Sequence, residues 1–553
     1  MKITFDKFDA ILYSKAGKYP YVNELDDSCD ILAELTGLKA SAGSVVLSTK
    51  HSAVFVDGRY KLAAKLSLDL AKFEIHNHDI STISQWIKEN VAIGGVIAYD
   101  PHFFSAKSIE KIKTDLAEYE FKSINLGQLL NLQRRRRKLR IHRVKMTFSD
   151  SKFAEIYNII AKNNLDAYLL CDPCSISWLL NIRDFDSRFS PTVFGYLLIK
   201  KNYDSILYLD NLYSEVINPS ECVVQIKSEN DLGADLEKLS RVGADEFEIP
   251  SHLYKSNLIH INNPCIYPKA IKNEVEISDI KEAAKADSTA IINLLYWLYN
   301  AEKFDSVSEI QVVEKLIEFR KQNSTYIGES FSCISAADEH SAIIHYSPTK
   351  ESDSVIKNIL LLDTGGQYKY GTTDITRTIC LHKPTAEQKL FYTLVLKGHI
   401  AIANMRFPEG TNFSQLEPFA RQFLWQYSAD YPHSTSHGIG YMSCVHENFA
   451  PLAKGRGAPL HSGMVISNEP GYYKDGYFGI RLENMMLVKD SLDGYLSFET
   501  ISLVPFDMRL INRNMLTEAE NIWLRKYHSA ICGKLARLLS EDIMEWLNSF
   551  CFI

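Results

Sequence analysis

The sequence predicts a multidomain protein of mixed α/β class, with α/β layers in its N-terminal half and longer helices alternating with short strands in its C-terminal half. Three observations carry that expectation. At 553 residues the chain is far longer than one domain, so roughly three or four domain-sized units are expected. Short apolar runs alternate with helix-like runs in the first part, and the texture changes near residue 270 to long helical patterns with clear start signals.

Taken in order, residues 1 to about 125 contain the strand-like runs "SVVLS" and "AVFVDGRY" and the helix-like "SIEKIKTDLAEY", the alternation of an α/β layer. A second such layer opens near Phe153, where "FAEIYNIIAKNNLDAYLLCD" reads as helix then strand. Between them lies "NLQRRRRKLRIHR", whose Arg134 to Arg137 run reads as a solvated connector rather than a nucleic-acid patch. Farther on, Ser306 with Glu309, and Thr385 with Gln388 after Pro384, read as capping boxes opening helices. No internal repeat or low-complexity tract stands out.

Composition excludes several function classes. A net charge of −7 does not suit a protein that depends on a basic surface for nucleic-acid affinity. The N-terminal stretch "MKITFDKFDAILYSKAGKYP" carries acids where a secretory leader needs an apolar core, and no run reaches the length of a membrane span, so a soluble protein is expected. Ten cysteines form no dense, evenly spaced framework, and the lone "CDPC" of Cys171 and Cys174 lacks a second pair to complete a zinc site.

The C-terminal half holds the chemistry. "NILLLD" reads as a strand ending in Asp363, "TGGQYKYG" as a turn and "TTDITRTI" as a returning strand bearing Asp374. Such a hairpin brings two carboxylates together, and unless one stays protonated the pair requires a cation. "VISNEPGYYKDGYFGIRLENMM" repeats the design with Glu469 and, in its returning strand, Glu483. "YPHSTSHGIGYMSCVHEN" places His433, His437 and His446 within fourteen residues between these hairpins. One histidine with four carboxylates suits two divalent ions, manganese first, with cobalt or zinc as alternatives.

These phrases, with "FVDGRY", "SISWLLNIR", "KAIKNEVEI", "SAIIHY" and the tail "WLRKYHSAICGKLARLLSEDIMEWL", resemble the aminopeptidase P, prolidase and methionine aminopeptidase group with the pita-bread fold. The likeness is to the long, three-domain aminopeptidase P type. It implies two creatinase-like α/β domains at 1–135 and 136–268, and a pita-bread catalytic domain at 269–553 closed by a helical segment from about 505. It also implies a dimetal exopeptidase that removes the residue before a proline by attack of metal-activated hydroxide; a prolidase-like dipeptidase is the alternative, and a non-catalytic binding protein on the same fold a more distant one.

By the resemblance Asp363 binds one metal, His437 and Glu469 the other, and Asp374 and Glu483 bridge both. Glu469 is also placed to take a proton from water, His345, His433 and His446 to serve substrate and intermediate, and Arg481 to stand near the site. A cytoplasmic homodimer acting on peptides with proline second, without membrane or nucleic-acid partners, is the implied setting. Ser434, Ser436, Asp184, the charged phrase before His345 and the arginine run depart from the family's usual phrases.

Overall fold

The computed structural model describes residues 5, 7–15, 30–132, 136–144, 149–222, 224–300, 306–447 and 458–552. The chain divides into two compact units, Met1–Ile266 and Tyr267–Ile553.

The first unit contains two six-stranded sheets of the same topology. In one, the order across the sheet is Phe73–Asn77, Ser52–Val56, Ser44–Ser48, Ala10–Ser14, Val96–Tyr99, Glu120–Ser123. In the other it is Gln225–Ser228, Ser205–Leu209, Gly195–Lys200, Ala167–Leu170, Val242–Ala244, Leu258–His260. Numbered along the chain, both orders are 4-3-2-1-5-6, and in both the successive pairings run parallel, antiparallel, antiparallel, parallel, parallel. A structural repeat is therefore present where the sequence shows none. It is carried by strand order and direction, which do not require the two sheets to share side chains.

The first sheet is buried on both faces. Ala10 and Leu12 join one apolar cluster with Phe55, Trp86 and Ile97, while Ile11 and Tyr13 join another with Val45, Val54 and Val56. That is why its inner strands read as continuous apolar runs, while the edge strands Phe73–Asn77 and Glu120–Ser123 are more exposed and polar. The expected helices form at Ala106–Asp115 and Ser149–Lys162, each preceding its strand.

Arg134 and Arg135 lie outside the described residues. The solvated-connector expectation holds for Arg136, which is exposed and outside any strand, and fails for Arg137, which opens strand Arg137–Arg143 and whose guanidinium lies 2.6 Å from the carboxylate of the fully buried Asp184. Burial pushes the Asp184 carboxyl up to about 6 even though Arg137 and the Tyr213 hydroxyl pull it down. Two departures from the family's phrases, Asp184 and the arginine run, are thus each other's partners.

The second unit is built on the helices Glu274–Asn300 and Glu309–Arg320, which pack on a three-stranded sheet of Ile334–Ala337, Ile359–Thr364 and Ile375–Cys380. The capping box of the second helix belongs to Ser308 and Gln311, two residues later than the sequence reading placed it. Glu309 is instead a fully buried carboxylate that accepts from Ala337 N, His340 and Tyr346, so its side chain is not free to cap. The box at Thr385 and Gln388 forms as expected and opens helix Ala386–Ala403. A four-stranded sheet of Arg406–Pro408, Tyr495–Thr500, Asn484–Asp490 and Val465–Asn468 and the closing helices Glu518–Leu535 and Glu541–Cys551 complete the unit. Among the described residues, no helix is long and apolar enough to cross a membrane.

Candidate metal centre

Two hairpins of one design carry the four acids. In the first, strand Ile359–Thr364 pairs antiparallel with Ile375–Cys380, Asp363 opposite Thr376 and Thr364 opposite Ile375. A small inner ladder, Gly366–Tyr368 with Gly371–Thr372, projects beyond them. In the second, Val465–Asn468 pairs with Asn484–Asp490, ending at Asn468 opposite Asn484, and the inner ladder is Gly471–Lys474 with Phe478–Arg481. Asp374 and Glu483 each stand one residue before the returning strand, not within it as the sequence reading had them. At that point the chain leaves one ladder for the next, which releases the side chain from strand alternation. Close packing at Gly365 enforces the crossover: a Cβ there would lie 2.0 Å from the carbonyl oxygen of Thr373.

The hairpins are stitched together. Glu483 N donates to Thr376 O at 3.0 Å, and Thr376 Oγ1 donates to Glu483 Oε2 at 2.7 Å. Behind them the buried guanidinium of Arg377 donates to the carbonyl of Glu483 and to Asn484 Oδ1.

His437 is brought in by the second hairpin's first strand. Its N–H donates to Ser467 Oγ and its carbonyl accepts from Ser467 N, both at 2.9 Å. Its Nδ1 lies 2.9 Å from the carbonyl of Gly438, so Nδ1 carries the proton and Nε2 faces the acids as a lone-pair donor. Nε2 is 3.3 Å from Asp374 Oδ2, 3.4 Å from Glu469 Oε1 and 4.0 Å from Glu483 Oε1. Ligand atoms of Asp363, Asp374 and Glu483 lie within 4.8 Å of one another, as do those of His437, Glu469 and Glu483.

The charges do not balance within the protein. Arg481, 2% exposed, lies 2.6 Å from Asp363 Oδ2 and donates to that one acid of the four. Burial pushes the Asp374 carboxyl well above the ordinary carboxylate range, with Asp363 and Glu469 adding to it. Burial does the same to Glu483, with Asp374 and Glu469 adding. Glu469 is raised by burial while His437 and Arg481 oppose it. Asp363 Oδ1 and Glu483 Oε1 are buried without a hydrogen-bond donor. Four clustered carboxyls, two with buried oxygens lacking donors, beside an imidazole lone pair form a donor set that fits divalent cations.

The other expected residues separate. His446 packs edge-on to His437, ring centroids 4.4 Å apart, and has a ligand atom within 4.8 Å of atoms of Asp374 and His437. His433 Nδ1 is 2.8 Å from the carbonyl of Ser434, and its Nε2 is 2.8 Å from the hydroxyl of Tyr473. That hydroxyl in turn accepts from Arg481 at 2.8 Å, so a chain of contacts runs from Asp363 through Arg481 and Tyr473 to His433. Sequence reasoning missed Tyr473, whose partners lie in other phrases; its place in the inner ladder beside Arg481's strand was the available signal. His345 lies just beyond the turn Asp338–Ala342, which packs on Phe478–Arg481 so closely that a Cβ at Gly479 would lie 1.8 Å from Ser341 O.

Two acid-bearing hairpins with clustered ligand atoms are the frame of a metal site, and the chain belongs to metallopeptidase family M24. Residues 278–490 match that family, residues 133–276 the creatinase/prolidase N-terminal domain, and residues 494–551 the C-terminal region of peptidase M24. Within the family, the chain is 32% identical to aminopeptidase P2 of Arabidopsis thaliana, across 93% of this chain and 82% of that one. It is also 32% identical to a probable Xaa-Pro aminopeptidase P of Arthroderma gypseum, across 94% of this chain and 89% of the relative. An X-prolyl aminopeptidase from Caenorhabditis elegans, described as a cytosolic enzyme with a di-nuclear active site, superposes with a TM-score of 0.91 at 26% identity, covering 98% of this chain and 95% of that one. A prolidase from Pyrococcus horikoshii shares the fold over 65% of this chain, with a TM-score of 0.54.

Proposed function

We propose that the protein is a dimetal aminopeptidase that hydrolyses the bond between an N-terminal residue and a following proline. The observation that carries the proposal is the cluster of buried Asp363, Asp374 and Glu483 with half-buried His437 and Glu469, with donor-free oxygens on Asp363 and Glu483, in a chain similar over nearly its whole length to Xaa-Pro aminopeptidases. Asp363 would hold one ion, His437 and Glu469 the other, with Asp374 and Glu483 shared. Bound there, the ions supply Lewis-acid polarisation of a carbonyl and a water acidic enough to ionise near neutral pH. Manganese is the proposed metal, with zinc or cobalt as alternatives.

The chain's own groups then divide the work. Glu469, with 17% of its side chain exposed, is the ligand acid that open solvent reaches most readily, which suits it to take a proton from water. The bond before proline lacks an N–H, so the substrate is accepted by shape at that position. His345 and His446 are proposed to hydrogen-bond the substrate carbonyl or protonate the departing imino nitrogen. His433, whose ring is fixed beside Tyr431 and Tyr473 and by the Ser434 carbonyl, is proposed to orient substrate and stabilise the intermediate with them. Arg481 supports Asp363. A domain division at 1–135, 136–268 and 269–553, a cytoplasmic location and a homodimer belong to the same proposal.

The test is a panel of a proline-containing dipeptide, tripeptide and pentapeptide after manganese loading. Cleavage of the longer peptides at another bond, with the first residue's bond left intact, would refute the aminopeptidase reading; release of the first residue from the two longer peptides supports it. Turnover of the dipeptide alone would establish a dipeptidase, and turnover of none a binding protein.

A further inference from the structure

Behind the first acid-bearing hairpin lies a buried ion pair that touches neither the candidate ligands nor solvent. Arg320, the last residue of helix Glu309–Arg320, is 1% exposed, and Asp287, on helix Glu274–Asn300, is 2% exposed. Arg320 Nε donates to Asp287 Oδ1 at 2.7 Å and Nη2 to Oδ2 at 3.2 Å. An isolated pair of this kind contributes little net stability, because desolvating both charges offsets their attraction. Its remaining bonds show what it holds.

Arg320 Nη1 donates to Thr364 Oγ1 at 2.9 Å, and Thr373 Oγ1 donates to Asp287 Oδ2 at 2.7 Å. Thr364 directly follows Asp363, and Thr373 directly precedes Asp374. The hydroxyl of Tyr368, in the inner ladder between them, donates to Asp287 Oδ1 at 3.0 Å. The pair therefore grips both sides of the crossover and its inner ladder through side chains one residue from each aspartate. Thr373 is held again by its Oγ1, which accepts from Gly366 N at 2.8 Å, and by its carbonyl, which accepts from Ser330 Oγ at 2.9 Å.

We propose that Arg320 and Asp287, acting through Thr364 and Thr373, are positioning residues that set the separation of the Asp363 and Asp374 carboxylates and so tune metal affinity at the ion those two acids share. The inference rests on the ligand assignment proposed above. Two helices that pack the core of the unit thereby fix a distance in the site, and a valine at either threonine would cut one link without altering volume greatly.

The experiment is calorimetric titration of Mn²⁺ into metal-free full-length wild type, Thr373→Val, Thr373→Ser and Thr364→Val, with thermal unfolding of each metal-free protein alongside. Loss of an outer partner of a metal ligand typically weakens metal binding by about tenfold to a hundredfold. Thr373→Val is expected to show that loss for one ion, with the second ion affected less, while Thr373→Ser stays within about threefold of wild type because it keeps the hydroxyl. Thr364→Val supplies the same comparison should Thr373→Val fold poorly. Tyr368→Phe, which removes a donor from Asp287 but leaves both threonine links, is expected to lower only the unfolding temperature. Wild-type affinity for both ions in a folded valine variant, or equal loss in Thr373→Ser, would overturn the inference. A wild type that binds no ion would instead overturn the ligand assignment.

Discussion

Replacing Tyr473 with phenylalanine tests whether the contacts behind the cluster reach its chemistry. The change removes one oxygen and opens no cavity of consequence, yet that oxygen lies 2.8 Å from both Arg481 Nη1 and His433 Nε2. Burial pushes the Tyr473 hydroxyl up to about 12, so it remains a donor to His433 throughout the working pH range. In the variant, a buried guanidinium loses one acceptor and His433 loses the hydroxyl at its Nε2 while its contact with the Ser434 carbonyl remains. A neutral hydrogen bond such as that from Tyr473 to His433 is worth about 0.5–1.5 kcal/mol. If that full amount orients His433 in the transition state, turnover falls by roughly twofold to tenfold. Asp363 keeps both of its contacts with Arg481, at 2.6 and 3.2 Å, so the metal content should not change. Steady-state hydrolysis of an Xaa-Pro tripeptide, with metal analysis on the same samples, measures both quantities. Turnover within about twofold of wild type would refute the argument, because the lost bond would then be worth too little to matter. Loss of metal would refute it differently, by showing that Tyr473 supports the ligand rather than the histidine.

Three other perturbations separate the remaining roles. His437→Ala should empty or weaken a metal site, whereas His345→Ala, His433→Ala and His446→Ala should keep metal and lose turnover by roughly a hundredfold or more; since His446 lies within ligand reach of His437 and Asp374, metal loss in His446→Ala would move it into the ligand set. Asp374→Asn or Glu483→Gln removes an acid proposed to be shared, so both ions should weaken together, and retention of both at wild-type affinity in metal analysis would end the bridging assignment. His528 is buried, donating from Nδ1 toward the Cys551 carbonyl and accepting from Phe506 N, and burial lowers its pKa to about 4. The unfolded chain therefore takes up the proton first as pH falls, so its contribution is complete above about pH 6.5 and is lost toward pH 4, at about 1.4 kcal/mol per unit. Denaturant unfolding of wild type and His528→Gln between those pH values should show the difference shrinking as pH falls, and a pH-independent difference would contradict the burial argument.

The parts of this protein that local pattern controls were legible in the sequence. "NILLLD" and "VISNE" read as strands ending in acids because burial on both faces demands unbroken apolar runs, and glycine- and tyrosine-rich turns mark the reversals. The α/β layers followed from alternation of element types. Details set by tertiary contact were not legible. The capping box moved from Ser306 to Ser308 because Glu309 is engaged by Ala337, His340 and Tyr346 from later in the chain. Arg137 left the connector for a strand because Asp184 waits 2.6 Å away, 47 positions along. The shared topology of the two N-terminal sheets leaves no period in the sequence, since strand order constrains burial but not identity. The link from Arg481 through Tyr473 to His433 joins residues whose types are individually unremarkable.

The central claim, that the buried acids and His437 form a two-ion catalytic site, is tested most directly by stripping the protein of metal and returning Mn²⁺ stepwise while counting bound ions and measuring release of the first residue from an Xaa-Pro tripeptide in the same samples. The account predicts about two ions bound per chain at saturation and no measurable hydrolysis in the stripped protein, with activity rising as the sites fill. Full hydrolysis by demonstrably metal-free protein would contradict it.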